Sequence, residues 1–215
     1  MAHNIVDRLT ETFRRFPGIG PRQARRFVYH LLREGQNQID RLTAELHELG
    51  KAVAQCQQCF RFYSAPVRPE SGGPAKTCDL CQDLERDNSL LMVVEKDADL
   101  EAVRQSDTYN GHFFVLGGLI PILEKEPQLK VRLRELTAAV TKRMADNSPR
   151  KIKEMIIALA VNPEGDHTIE FLKQTLKQFT DEGLHLTVLG RGLSTGTELE
   201  YSDTDTLKNA LANRS

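Results

Sequence analysis

The sequence has no run of about 18 apolar residues, so no segment is expected to cross a membrane as a helix. It also lacks a hydrophobic leader. Met1 to Phe16 carries Asp7, Arg8, Glu11, Arg14 and Arg15, unlike a secretory signal, and the cytoplasm is the expected location. Net charge is nearly absent, at −1, which argues against a chain basic throughout but says nothing of a local patch. No P-loop is present and no nucleophile–base pair announces itself, so no common enzyme class is indicated. Cysteine is scarce, and all four lie between Cys56 and Cys81. With 215 residues, and roughly 150 per domain, one domain or two small ones are expected, with enough chain to bury a core.

The cysteines are what the sequence offers most clearly. Cys56-Gln57-Gln58-Cys59 and Cys78-Asp79-Leu80-Cys81 stand 18 residues apart, which fits the spacing of a four-cysteine zinc site. A two-residue spacer lets one tight turn present two sulfurs to one ion. The intervening Pro66, Pro69, Gly72, Gly73 and Pro74 predict a short ribbon or loop that buries little by itself, so a metal would supply its folding energy. Two disulfides or redox-active pairs are the alternatives. No histidine lies inside the cluster, and a closed structural Zn2+ site, one per chain, is the reading taken.

Three helices are predicted before it: about His3–Arg15, Pro21–Arg33 and Ile39–Val53. In the third, Ile39, Leu42, Leu46, Leu49 and Val53 recur every three or four residues, a stripe read as core packing. Between the first two stands Pro17-Gly18-Ile19-Gly20-Pro21, with glycines for a tight turn and Pro21 suited to a helix start. From Arg8 to Arg33 there are seven arginines and one acid, Glu11, a local charge of +6 in a chain totalling −1. Gly18 and Gly20 let backbone approach a ligand, and a helix N-terminus with Arg22, Arg25 and Arg26 favours phosphate. An ordinary turn beside a solvated arginine face is the alternative. Leu9 to Leu31 resembles a helix-hairpin-helix DNA-binding motif. The spread of the arginines predicts recognition of single- and double-stranded DNA without base specificity.

The remainder alternates strands with helices. Apolar runs at Leu90–Val94, His112–Leu116, Met155–Val161 and Leu184–Leu189 predict buried parallel strands. Helices are expected toward Gln105 after a cap at Asp97 or Asp99, over Leu129–Met144, and from a cap at Asp166 or Thr168 to Phe179. This order predicts an α/β fold with a parallel sheet covered by helices. Function in such sheets collects at the C-terminal strand ends, where Glu95, Glu164 and Asp166 are found. These acids could hold Mg2+, or could simply favour helix N-termini.

The order of these features, across nearly the whole chain, resembles the bacterial RecR family of recombination mediators. The resemblance rests on Phe16–Pro21, the four cysteines, Val93-Val94-Glu95, Val115-Leu116-Gly117-Gly118, Arg191-Gly192-Leu193 and Glu198-Leu199-Glu200-Tyr201. It implies four parts: a helix-hairpin-helix module (1–55), a zinc element (56–83), a Toprim-like α/β domain (84–190) and a C-terminal segment for oligomer contact (191–215). It also implies a non-enzymatic repair mediator that assists recombinase loading at single-stranded gaps, at the nucleoid. Its partners would be a RecO-like protein, a RecF-like protein as a further candidate, and copies of itself in a dimer or tetramer ring. In this reading Arg22 and Arg26 match the family's DNA-contacting positions, and Glu95 matches the Toprim glutamate on the partner-binding surface. A metal-dependent Toprim nuclease or topoisomerase-like enzyme is the alternative. Catalytic Toprim enzymes pair the glutamate with Asp-x-Asp, whereas this chain reads Asn162-Pro163-Glu164, in a loop two residues shorter than the family's usual one. Asn in place of Asp removes a charge and weakens any Mg2+ site. Gly196-Thr197 likewise departs from the family's double glycine.

Overall fold

The computed structural model describes residues 4–65, 67–68, 73–74, 76–145, 151–190, 192–193, 196, 198–202 and 204–212. Among the positions singled out above, His3, Pro66, Pro69, Gly72, Arg191 and Thr197 lie outside the described residues. The chain divides into two compact units, Met1–Val53 and Ala54–Ser215.

The first unit is helical: α1 (Ile5–Arg14), α2 (Pro21–Glu34) and α3 (Gln36–Ala52). The Asn4 side chain accepts from the Val6 amide and caps α1. Ala24 and Val28 of α2 and Thr10 of α1 are the buried positions. Gly35, at φ +85°, ends α2 and turns the chain directly into α3. The apolar stripe of α3 does not form a core. No residue of α3 is buried, and Leu46 and Leu49 are about 60% exposed. Helical periodicity shows that one face is apolar; it does not say what covers that face.

The second unit opens with β1 (Val53–Gln55), which begins at the boundary and pairs with β2 (Phe62–Ser64). β3 (Val67–Arg68) pairs antiparallel with β4 (Gly73–Pro74). These short pieces flank the cysteines and lead into α4 (Asp79–Gln82). The main sheet follows, with β5 (Asp87–Val94), β6 (Gly111–Val115), β7 (Glu154–Ala158) and β8 (His185–Val188) in the order β6-β5-β7-β8. All three pairings are parallel. Side chains alternate across it. Leu91, Val93, Phe114, Met155 and Ile157 face a core closed by α6 (Leu133–Met144), α7 (Pro163–Thr175) and α8 (Lys177–Asp181). Met92, Val94, Phe113 and Val115 face Leu100 of α5 (Asp97–Ser106). α9 (Thr204–Ala212) closes the described chain.

Several expected boundaries move. A 3-10 turn at Pro127–Leu129 precedes α6, which starts at Leu133 rather than Leu129. The expected helix to Phe179 is two helices, broken at Leu176. Neither Asp166 nor Thr168 caps α7. Asn162 does, its side chain accepting from the Gly165 amide at 2.8 Å. The Thr168 hydroxyl is buried, donating to the Glu164 carbonyl and accepting from the Ile120 amide. The reason is Pro163, which is favoured at the first helical position and starts the helix three residues before Asp166.

His112 of β6 is buried, with Nε2 3.2 Å from Asn88 Oδ1. Burial, then the charges of Arg143 and Arg86, pull its pKa from 6.5 down to about 4. The folded protein therefore holds this imidazole neutral. The associated stability is full above about pH 6.5 and is lost as pH falls toward 4, at most about 3 kcal/mol. The urea midpoint is expected to fall across that window in wild type and to lose much of the dependence in His112→Asn.

Candidate metal centre and nucleic-acid interface

Two similar turns deliver the sulfurs. In the first, the Phe60 amide donates to the Cys56 carbonyl and the Cys56 amide to the Arg61 carbonyl. In the second, the amides of Cys81 and Gln82 both donate to the Cys78 carbonyl at the start of α4. All four Sγ atoms lie within 4.8 Å of one another, and none is in a disulfide. Cys56 Sγ is 3.8 Å from Cys81 Sγ, and Cys59 Sγ is 3.6 Å from Cys78 Sγ. A tetrahedron built on Zn–S bonds of about 2.3 Å has edges of about 3.8 Å, so these two separations match a tetrahedral Zn2+ site. The amides of Gln58 and Cys78 each point at Cys56 Sγ from 3.4 Å and favour its thiolate. Hydrogen bonds from the other thiols, Cys59 first, hold Cys56 low, while the hydrogen bond with Cys56, and burial, push Cys81 up. The cluster cannot ionise fully without a cation, and a closed all-sulfur set leaves no position for catalysis.

This element is built into the α/β unit. The Val115 amide donates to the Cys59 carbonyl at 2.8 Å, which extends the edge of β6. The Phe62 amide donates to Asp97 Oδ1 at 2.7 Å, so Asp97 serves the cysteine element, while Asp99 caps α5 through the Lys96 amide. Phe60 sits in the left-handed region at φ 62°, unusual for so bulky a side chain. It is held there by Phe114 at 5.3 Å and by the Arg132 guanidinium over its ring at 5.5 Å. The Arg61 side chain, 11% exposed, lies 3.3 Å from Asp79 and 3.8 Å from Glu101, tying α4 to α5. Sequence reading assigned no role to Phe60 or Arg61 and offered Asp97 only as a cap for α5, because the partners of all three are distant in the chain.

In the helical unit, Gly18 takes φ +76°, the conformation that requires glycine at this turn. Gly20 is the extended N-cap of α2, and Pro21 follows at the first position. No side chain caps α2, and its first turn holds no acid, which leaves amides and dipole facing outward. Arg22, Arg25 and Arg26 are all exposed. Arg25 lies 3.4 Å from Asp7 of α1. Arg22 and Arg26 have no acidic partner among the described residues.

The strand-end acids are arranged differently. Glu95 follows β5, is 18% exposed, and lies 3.8 Å from Lys96 Nζ. Glu164 and Asp166 are exposed in the first turn of α7. A cavity of about 810 Å³ at the ends of β7 and β8 is lined by Asn162, Asp166, Leu189 and Lys208, without Glu95. Among the described residues the four cysteines are the only group of three or more potential metal ligands drawn together, so Glu95, Glu164 and Asp166 do not converge. Asn162 works as a helix cap. Gly165 is equally constrained, since a Cβ there would meet the Ala160 carbonyl oxygen.

Comparison with known proteins gives three family-model matches: "RecR, helix-hairpin-helix" over residues 6–49, "Toprim domain" over 89–190 and "RecR, C-terminal" over 192–215. The chain is 35% identical over 214 residues to the recombination protein RecR of Legionella pneumophila strain Philadelphia 1, covering 100% of this chain and 98% of the relative. It is 36% identical over 206 residues to the RecR of Synechococcus sp. strain CC9311, covering 96% and 98%. It is 35% identical over 206 residues to that of Prochlorococcus marinus strain MIT 9313, again covering 96% and 98%.

Metal analysis of the folded protein is expected to give about one zinc per chain. A strong chelator should expose all four thiols to a thiol reagent together and lower the thermal midpoint of the second unit. A fully folded, metal-free protein would contradict this role.

Proposed function

Given that this chain belongs to the RecR family of recombination proteins, we propose that it is a non-enzymatic DNA-binding mediator that assists recombinase loading at single-stranded gaps. The observation that carries this reading is the open N-terminus of α2, with Arg22 and Arg26 exposed beside the Gly18–Gly20 turn and free of acidic partners among the described residues. Backbone amides and guanidinium groups there suit phosphodiester oxygens and carry no base information, so single- and double-stranded DNA are both ligands. Arg25 contributes less than the other two because Asp7 already engages it.

In this proposal the chain works as four parts, 1–55, 56–83, 84–190 and 191–215. The cysteine element binds one structural Zn2+, with Cys56, Cys59, Cys78 and Cys81 as ligands. Zinc supplies charge compensation and cross-linking, and no chemistry. The surface around Glu95, with Glu164 and Asp166, receives a RecO-like protein, with a RecF-like protein as a further partner. The exposed Leu46 and Leu49 of α3 support a contact between copies of the chain, in a dimer or a tetramer ring. The cytoplasm, at the nucleoid, is the proposed location. The scattered strand-end acids favour a partner surface over Mg2+-dependent cleavage.

Replacing Arg22 and Arg26 together by Gln should weaken single- and double-stranded DNA binding alike and flatten the salt dependence by about two ion-release contacts. Unchanged binding at low salt would remove the hairpin from this reading. For the acids, Glu95→Gln is expected to weaken capture of a RecO-like protein and leave DNA binding intact. If the wild type cleaves DNA with Mg2+ or Mn2+, and the variant does not, the protein is an enzyme after all.

A further inference from the structure

On α2, residues advance about 100° each around the axis, which sets Arg22, Arg26, Tyr29 and Arg33 within an arc of about 60°. Arg25 lies about 40° outside it, on the Tyr29 side. The buried Ala24 and Val28 occupy the opposite face. Tyr29 stands at one end of that arc, with Arg25 and Arg26 one turn before it and Arg33 one turn after, on a face that points away from the core. It is 57% exposed. The unit Met1–Val53 contains four Phe or Tyr side chains, and the other three meet through Phe13, which lies 6.2 Å from Phe16 and 5.9 Å from Phe27. Tyr29 makes no ring contact or hydrogen bond among the described residues. By contrast, Tyr109 of the α/β unit packs on Phe113 and donates its hydroxyl to the His112 carbonyl.

An unpartnered ring surrounded by cations suits a ligand that carries both a flat apolar face and anionic groups. A duplex offers phosphates but hides its base faces in the stack. A single strand offers both. Tyr29 stands about 10 Å along the helix from Arg22 and about 6 Å from Arg33, so a base on the ring leaves the flanking phosphates near arginines on either side. We propose that Tyr29 is a stacking platform for an unpaired base, and that α2 thereby prefers single-stranded nucleic acid over duplex. This rests on the DNA-binding reading above and adds to it a residue and a substrate preference. The arginines supply attraction to any phosphate chain, and the ring supplies the discrimination.

The test compares Tyr29→Ala, Tyr29→Phe and the Arg22→Gln, Arg26→Gln double variant by fluorescence anisotropy at low salt. The probes are a thymidine oligomer, an abasic oligomer and a duplex of equal length, with helix content and solution mass measured for each variant. Tyr29→Ala is expected to lose about fivefold or more on the thymidine oligomer, with little change on the abasic oligomer or duplex. Tyr29→Phe should retain wild-type binding. Equal losses on all three probes, no loss on any, or a change in solution mass that marks the ring as a contact between copies would each overturn the proposal. If the double arginine variant binds every probe like wild type, the DNA-binding reading itself fails. A normal Tyr29→Ala beside a weakened arginine variant removes only the stacking role.

Discussion

Four thiols gathered within 4.8 Å of one another, three of them buried, are a structural demand before they are a site. Burial and mutual repulsion oppose their ionisation, and a dication at their centre relieves both costs together. The strands around them are two or three residues long and too small to persist alone. What they support is larger. Through the Cys59 carbonyl the element joins the edge of β6, through Asp97 it holds the start of α5, and through Phe60 it enters the core behind Phe114. Loss of the cation would therefore loosen the edge of the main sheet as well as a peripheral ribbon.

The helical unit is organised by charge instead. Its core is small, and its arginines outnumber what its acids can neutralise. Glu11 is taken by Arg14 and Asp7 by Arg25, which leaves Arg8, Arg15, Arg22 and Arg26 without an acidic partner among the described residues. Of the seven arginines behind the formal +6, four thus have no acidic partner among the described residues, and two of these, Arg22 and Arg26, stand beside an uncapped helix start. Cations and free helix-start amides of this kind are the groups that phosphate oxygens accept from.

At the strand ends, the same loop that departs from catalytic Toprim sequences has taken a structural task. Asn162 spends its side-chain oxygen on the Gly165 amide, and Gly165 is packed against the Ala160 carbonyl. The departure from Asp is therefore accompanied by a cap, and the neighbouring acids project from the first turn of α7 without meeting Glu95. Family membership brings the Toprim fold, and among the described residues its strand-end acids are not drawn together.

Features defined along the chain were legible in the sequence. The cysteine spacing, the Gly18–Pro21 turn and the four strands were all readable, because tight turns and buried parallel strands depend on residues close in sequence. The parallel order β6-β5-β7-β8 then decided which distant residues meet, and there local reading ran out. It could not show that Asp97 serves the cysteine element, that Phe60 is held in a left-handed conformation, or that Asn162 displaces Asp166 as the cap. Nor could it separate a stripe that is buried from one that is only apolar, since Leu46 and Leu49 follow the same period in either case. The sequence by itself determined which chemical groups are available and at what local spacing. Only the tertiary structure decided which of them converge, because convergence depends on strand register and helix facing, which no short stretch of chain specifies alone.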